Sequence, residues 1–60
     1  MFTVSVVNGG MKFWLRGTVF TFSIDRADKF EDMKQAMAAA IKAEKFMAPK
    51  IKRTYKIEEN

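Results

Sequence analysis

Residues 6–20, VVNGGMKFWLRGTVF, decide how this chain folds. The stretch holds all three glycines, the only tryptophan and two isolated cations, Lys12 and Arg16. Two readings of its centre stand. Asn8-Gly9 is a type I′ turn signal, which would make MKFWLR a short fourth strand at 11–16, paired directly with the strand before it. Alternatively, residues 8–17 form a mobile loop hinged at Gly9, Gly10 and Gly17, long for a connection in so small a domain. In the hairpin, Phe13 and Trp14 point to opposite faces and one of them is core. In the loop, both reach outward.

The flanks are plainer. FTVSVV before the stretch alternates, with Phe2, Val4 and Val6 on one side, and reads as a strand. TVFTFSI after it repeats the pattern, with Phe20, Phe22 and Ile24 facing in. Beyond Asp25 the period changes. Phe30, Met33, Met37, Ala40 and Ile41 recur at three- and four-residue spacing, which predicts a helix over about 28–46 with that stripe inward. Asp28 with Glu31 resembles a capping box, with Asp25 the rival cap. Acids near the start and Lys42 and Lys45 near the end suit the helix dipole. Pro49 stops the helix and pushes Ala48 into an extended conformation. KIKRTYKI then alternates again as a last strand. Ile51, Tyr55 and Ile57 face the helix, with Arg53 at the rim, while Lys50, Lys52, Thr54 and Lys56 make a basic outer face.

The expected fold is α+β: a single small ββαβ domain over 1–57, with residues 58–60 a solvated tail. The first two strands pair, and a right-handed crossover through the helix returns the last strand beside the first. That gives a three-stranded antiparallel sheet in order 2-1-3, packed on one helix, with a fourth strand only if the hairpin forms.

Composition bounds the function. A chain of 60 residues buries only about 60% of its unfolded surface, so its stability margin is thin. With 0 Cys and 0 His, neither a disulfide nor a histidine–cysteine metal site can staple it, and the two most versatile catalytic side chains are missing. Ser5 and Ser23 have no base in any motif. Asp28, Glu31 and Asp32 fit capping better than a catalytic cluster. Gly9-Gly10 lacks the spacing of a phosphate-binding loop. The expectation is a non-enzymatic protein that takes no cofactor or metal. It has neither a secretory signal pattern nor an apolar run near the roughly 20 residues that span a bilayer, so the expected compartment is the cytoplasm.

The net charge is +4, and Lys42, Lys45, Lys50, Lys52, Arg53 and Lys56 crowd one stretch opposed only by Glu44. Such a surface speeds encounter with anions, whether nucleic acid or an acidic protein face. Two candidate contact surfaces follow. One is the basic strand, Lys50, Lys52, Arg53 and Lys56, whose lysines also serve to protect a strand edge. The other is the glycine-flanked Lys12, Trp14 and Arg16, since Trp and Arg are the types most enriched at interface hot spots.

The layout resembles the Dmd-type antitoxins of T-even-like phages: a short chain opening on a Val4-Ser5-Val6-Val7 strand, then Gly10 in the connection, the FTFSI strand, the helix and a last strand. That resemblance implies a protein that binds a host toxin endoribonuclease of the RnlA/LsoA type and occludes its active site, with cytoplasm of the host cell as its place. It also implies a contact aromatic in the first helical turn, for which Phe30 is the nearest match, although Ala38, Ala39 and Ala40 stand where polar contacts are expected. A second resemblance, through Lys12-Phe13-Trp14, is to small phage inhibitors of host RNA polymerase, which depend on an acidic strip that this chain lacks. The partner expected is a host protein, with nucleic acid the alternative and a monomer or weak homodimer the expected state.

Overall fold

The hairpin forms. In the computed structural model, which describes residues 1–60, β1 (Phe2–Asn8) and β2 (Met11–Arg16) are joined by Gly9 and Gly10, with Asn8 opposite Met11. Both glycines have positive φ, 61° and 79°, as both central positions of a type I′ turn require. A second two-residue turn, Gly17-Thr18, leads into β3 (Val19–Thr21), and there only the first position, Gly17, is left-handed. The glycines are therefore hairpin residues and not hinges.

Adding that strand changes the sheet. It has four antiparallel strands in the order β3-β2-β1-β4, where β4 is Lys56–Glu59. The order 2-1-3 is corrected: MKFWLR stands between the two strands expected to pair, and the order of strands and α-helices is βββααβ. The TVFTFSI strand ends early, at Thr21. Phe22 is 66% exposed, although its ring still packs on Phe13 at 4.7 Å, and Ile24–Arg26 turn as a 3-10 helix. Residues 27–30 then run to the far end of the sheet. Asp28 N–H donates to the Leu15 carbonyl at 3.0 Å, and Phe30 exchanges both backbone hydrogen bonds with Phe2 at 2.8 Å.

The main helix, α1, is Met33–Ala43, shorter than the expected 28–46. Its N-cap is Asp32, whose Oδ1 accepts the Gln35 N–H at 2.8 Å, and Gln35 Oε1 reaches back to accept the Glu31 N–H at 3.2 Å. Asp28 is occupied elsewhere, accepting the Gly17 N–H and so pinning the β2–β3 turn. Pro49 does not only stop a helix; it opens a second one, α2 (Pro49–Lys52), at the first-turn position where a missing N–H is harmless. Ala48 is extended as expected, with ψ 149°.

KIKRTYKI is therefore not a strand over 50–57. Met47, Ile51 and Tyr55 recur every fourth residue, and Ile51 closes the end of the core beside Val6, Phe13 and Phe20. Thr54 caps this turn. Its hydroxyl donates to the Ile51 carbonyl at 2.7 Å and accepts the Val7 N–H at 2.9 Å, which ties α2 to β1 beyond the start of β4. The expected tail is structured too: Glu58 and Glu59 pair with Thr3 and Phe2, and Asn60 bonds Met1.

The core sits between one sheet face and α1: Val4, Val6 and Leu15 against Ala36, Ala40, Ala43 and Met47. Here the helix is turned from its expected phase, although Ala40 of the expected stripe is buried. Ala36 and Ala40 are 0% exposed, while Met33, Met37 and Ile41 are 55%, 39% and 57% exposed. A row of methyl groups lets the helix backbone lie close on the sheet, and the larger strand side chains fill the space. Central β1 is buried on both faces, since Thr3 and Ser5 are covered as well as Val4 and Val6. No helix is long and apolar enough to cross a membrane.

Candidate functional site

Alternation along β2 sends Phe13 and Leu15 to the helix side and Lys12, Trp14 and Arg16 to the other. Strand register brings them a third cation. Ser5 lies opposite Trp14 on one side and opposite Lys56 on the other, so Lys56, Ser5, Trp14 and Thr21 form one row across all four strands. Lys12 stands one row away, opposite Val7, and Arg16 closes the other end, opposite Val19. The sheet thus gathers Lys12, Trp14, Arg16 and Lys56 on the face turned away from α1.

The charges on this face are unevenly matched. Lys12 Nζ donates to Glu58 Oε2 at 2.8 Å and stands 5.6 Å over the Trp14 ring. Glu58 is held below its ordinary pKa by that hydrogen bond first, then by a bond from Ser5 and the nearby charges of Lys12 and Lys56, with partial burial opposing. Arg16 and Lys56 have no ion-pair partner. Two buried polar atoms on the same face, Thr3 Oγ1 and Trp14 Nε1, also lack a hydrogen-bond partner. Each such orphan destabilises the fold by about 1–3 kcal/mol. Natural proteins keep few of them.

The remaining candidates lie elsewhere. Phe30 is half-buried against the core, with its backbone tied to Phe2. Lys50 and Lys52 are on α2 and Arg53 is its C-cap, in the helical layer, so the basic strand face read from the sequence does not exist. Lys52 pairs with Glu44 at 3.4 Å. The acids are also separated in role: Asp32 caps α1 and Asp28 holds Gly17, and no group of three His, Cys, Asp or Glu is placed to hold a metal ion. A cleft of about 240 Å³ lies between the β2–β3 turn and α1, lined by Gly17, Thr18, Asp28, Phe30, Ala39, Lys42 and Ala43. Its polar side chains are the Thr18 hydroxyl, the Asp28 carboxylate and the Lys42 ammonium.

Sequence reading singled out Lys12, Trp14, Arg16 and Lys56, but on two separate elements. It missed Ser5, Thr3 and Glu58 as members of the same face. The alternation in FTVSVV carried that signal for Thr3 and Ser5; Glu58 needed the β1–β4 register. Compared with known protein families, with curated proteins and with solved structures, the chain matches none of them.

Proposed function

We propose that the protein is a small non-enzymatic inhibitor-type binding module, and that its contact surface is the sheet face centred on Trp14. One observation carries the reading: a single Trp surrounded by three cations on one face, two of them without a partner in the chain. Fully matched surface charges and satisfied buried atoms are what stability favours, and this face has neither. A flat, strand-borne Trp and Arg pair is also the kind of anchor on which interface energy concentrates.

The sign of the face selects the partner surface. Positive side chains fit an acidic protein face. The resemblance to Dmd-type antitoxins names a toxin endoribonuclease as that partner. A groove built to hold RNA is itself basic, so this face fits such a toxin at an acidic surface beside the groove, where it blocks access by bulk. Nucleic acid is the competing ligand. It would require an aromatic ring face free for stacking, and here Lys12 already stands over the only Trp ring on the face.

Capture on immobilised protein, with and without nuclease, tests the reading. The wild type should retain an acidic protein in nuclease-treated lysate, and an Arg16→Glu/Lys56→Glu variant should lose it. The purified captured protein should then shift the emission of Trp14, the sole Trp. If the wild type retains only nucleic acid and nuclease releases it, the protein-inhibitor reading fails. In that case affinity should fall steeply with salt.

A further inference from the structure

The edge of β4 is unpaired, and its backbone and side chains together suit one partner strand above others. Asn60 N–H donates to the Met1 carbonyl at 2.6 Å, and the Met1 ammonium donates to the Asn60 carbonyl at 3.1 Å. Bonding alternates along an antiparallel ladder. Glu58 and Lys56 therefore direct their N–H and C=O groups at β1, and Ile57 and Glu59 direct theirs outward to the free edge. Phe2, opposite Glu59, agrees with this phase, because it gives its own N–H and C=O to Phe30 on the far side.

Consider a second copy of Lys56-Ile57-Glu58-Glu59 laid antiparallel on this edge, with both α1 helices on the same side of the joined sheet. Four registers keep the faces matched, one of which, centred on Glu59, sets Glu59 against Glu59. A two-fold centred on Lys56 sets Lys56 against Lys56. One centred on Glu58 sets Glu58 against Glu58. One centred on Ile57 pairs Ile57 with Ile57 on the helix side and Lys56 with Glu58, twice, on the other. Only the last is free of like-charge pairs. It also places Ile57, whose backbone groups point outward, at a hydrogen-bonded pair. Lys56 and Glu58 fall at the closer, non-hydrogen-bonded positions where side chains meet. Shifting by one residue would turn the second helix to the opposite face.

The helix supplies what so short a strand lacks. Ala39, Lys42 and Ala43 face the cleft under Gly17 and Thr18 on the β2–β3 side. Met33, Met37 and Ile41 lie on the opposite flank of the buried alanine row, the flank turned to the β4 side, and remain exposed. Two such flanks meeting across the two-fold would add apolar area to the strand pair. A standard interface removes about 800 Å² from each partner, far more than a four-residue strand contributes.

We propose that the protein forms a symmetric homodimer through antiparallel β4–β4 pairing centred on Ile57, with the Met33/Met37/Ile41 flanks packed over it. Lys56, unpaired in one chain, finds Glu58 of the other, and the exposed stripe finds its cover. The result is an eight-stranded sheet carrying both Trp14 faces on one side and both helices on the other. The assembly takes up Lys56 and leaves Lys12, Trp14 and Arg16 of that face free, so it stands whatever those three bind.

Sedimentation equilibrium over a concentration series tests the pairing and its register. The wild type should run at twice its 6.9 kDa chain mass at high concentration. Lys56→Glu and Glu58→Lys should each weaken self-association at least tenfold, since each sets like charges in register. An equimolar mixture of the two should form a heterodimer, because both cross-strand contacts become Lys–Glu again. Glu59→Pro removes an outward N–H and no bond within the chain, and should also weaken association. Circular dichroism and Trp14 emission confirm that each variant is folded. A wild type that stays monomeric at millimolar concentration overturns the proposal. So do single variants that associate as well as wild type, a mixture that fails to pair, or open-ended association without a closed dimer.

Discussion

Substituting Ala40 by leucine tests the phase of α1, on which the whole core depends. Ala40 is 0% exposed and belongs to the cluster with Val4, Val6 and Leu15, whereas its neighbour Ile41 is 57% exposed. A leucine at 40 adds three carbon atoms where the helix lies on the sheet, so either the helix lifts or Val4 and Val6 leave their rotamers. Overpacking of this kind costs about 1–3 kcal/mol, and the upper end applies because the obstacle is a central strand with no freedom to retreat. A 60-residue domain has in all about 3–9 kcal/mol of stability. The loss is therefore a third or more of the total, and at about 4–8 °C per kcal/mol for a domain of this size a loss of about 3 kcal/mol lowers Tm by about 12–24 °C. Ile41→Ser is the matched control and should change stability by no more than about 0.5 kcal/mol. Urea unfolding followed by circular dichroism measures both, at a concentration low enough for the monomer to dominate. If Ala40→Leu is neutral and Ile41→Ser costs more than 2 kcal/mol, the Met33/Met37/Ile41 stripe is the buried one and the packing described above is wrong.

Three further outcomes follow from single contacts. Asp32→Ala should destabilise by about 0.5–2 kcal/mol, as loss of an N-cap does, while Asp25→Ala should be near neutral; equal effects in urea unfolding would deny Asp32 its role. Thr54→Val leaves the Val7 N–H without its acceptor and should cost about 1 kcal/mol, with Thr54→Ser close to wild type; a harmless Thr54→Val would mean that α2 is held by Ile51 alone. Glu58 has a folded pKa below its ordinary value, so the stability it contributes is present above that ordinary value and is lost as pH falls through the lower, folded one. Glu58→Gln should therefore be less stable than wild type at pH 7, the two curves converging in acid; a constant gap down to pH 2 would refute the linkage.

What the sequence discloses here depends on whether two patterns compete. β1 was legible because FTVSVV has one period, and the Asn8-Gly9 signal pointed to a hairpin, although the turn itself falls one residue on, at Gly9-Gly10. α1 was legible as a helix but not in phase. Ala36, Ala40 and Ala43 recur at three- and four-residue spacing, as Met33, Met37, Ala40 and Ile41 do, and hydrophobicity ranks the set with the larger side chains as core. Volume decides otherwise, because a four-stranded sheet already bringing Leu15, Phe13 and Phe20 to the core leaves room only for methyl groups. In KIKRTYKI a period of two and a period of four coexist. Pro49 arbitrates, since its fixed φ opens a helical turn, and the Met47-Ile51-Tyr55 spacing then applies. Of the candidate face, the β2 members followed from alternation alone. Lys56 joined them only through the pairing of Ser5 with both Trp14 and Lys56, a long-range fact that no local pattern carries.

The position of Trp14 alters the energetics expected of any partner. On a mobile loop, its side chain and the backbone around it would be ordered at the moment of binding, at about 0.5–1.5 kcal/mol per immobilised side chain and more for the chain itself. On β2 the backbone is held from both sides, by Ser5 of β1 and Thr21 of β3. Lys12 is likewise fixed by Glu58 and by the indole ring beneath it. The contact residues are thus arranged before a partner arrives, which favours affinity without new contacts. The same rigidity links binding to folding. Removing the indole leaves Ser5, which lies opposite it, less covered, so Trp14→Ala loses both contact and stability, whereas Arg16→Glu, at an exposed strand end, loses contact alone. A partner that tolerates Trp14→Ala in a folded protein but not Arg16→Glu would be held by charge. One that tolerates Arg16→Glu but not Trp14→Ala would be held by the aromatic anchor.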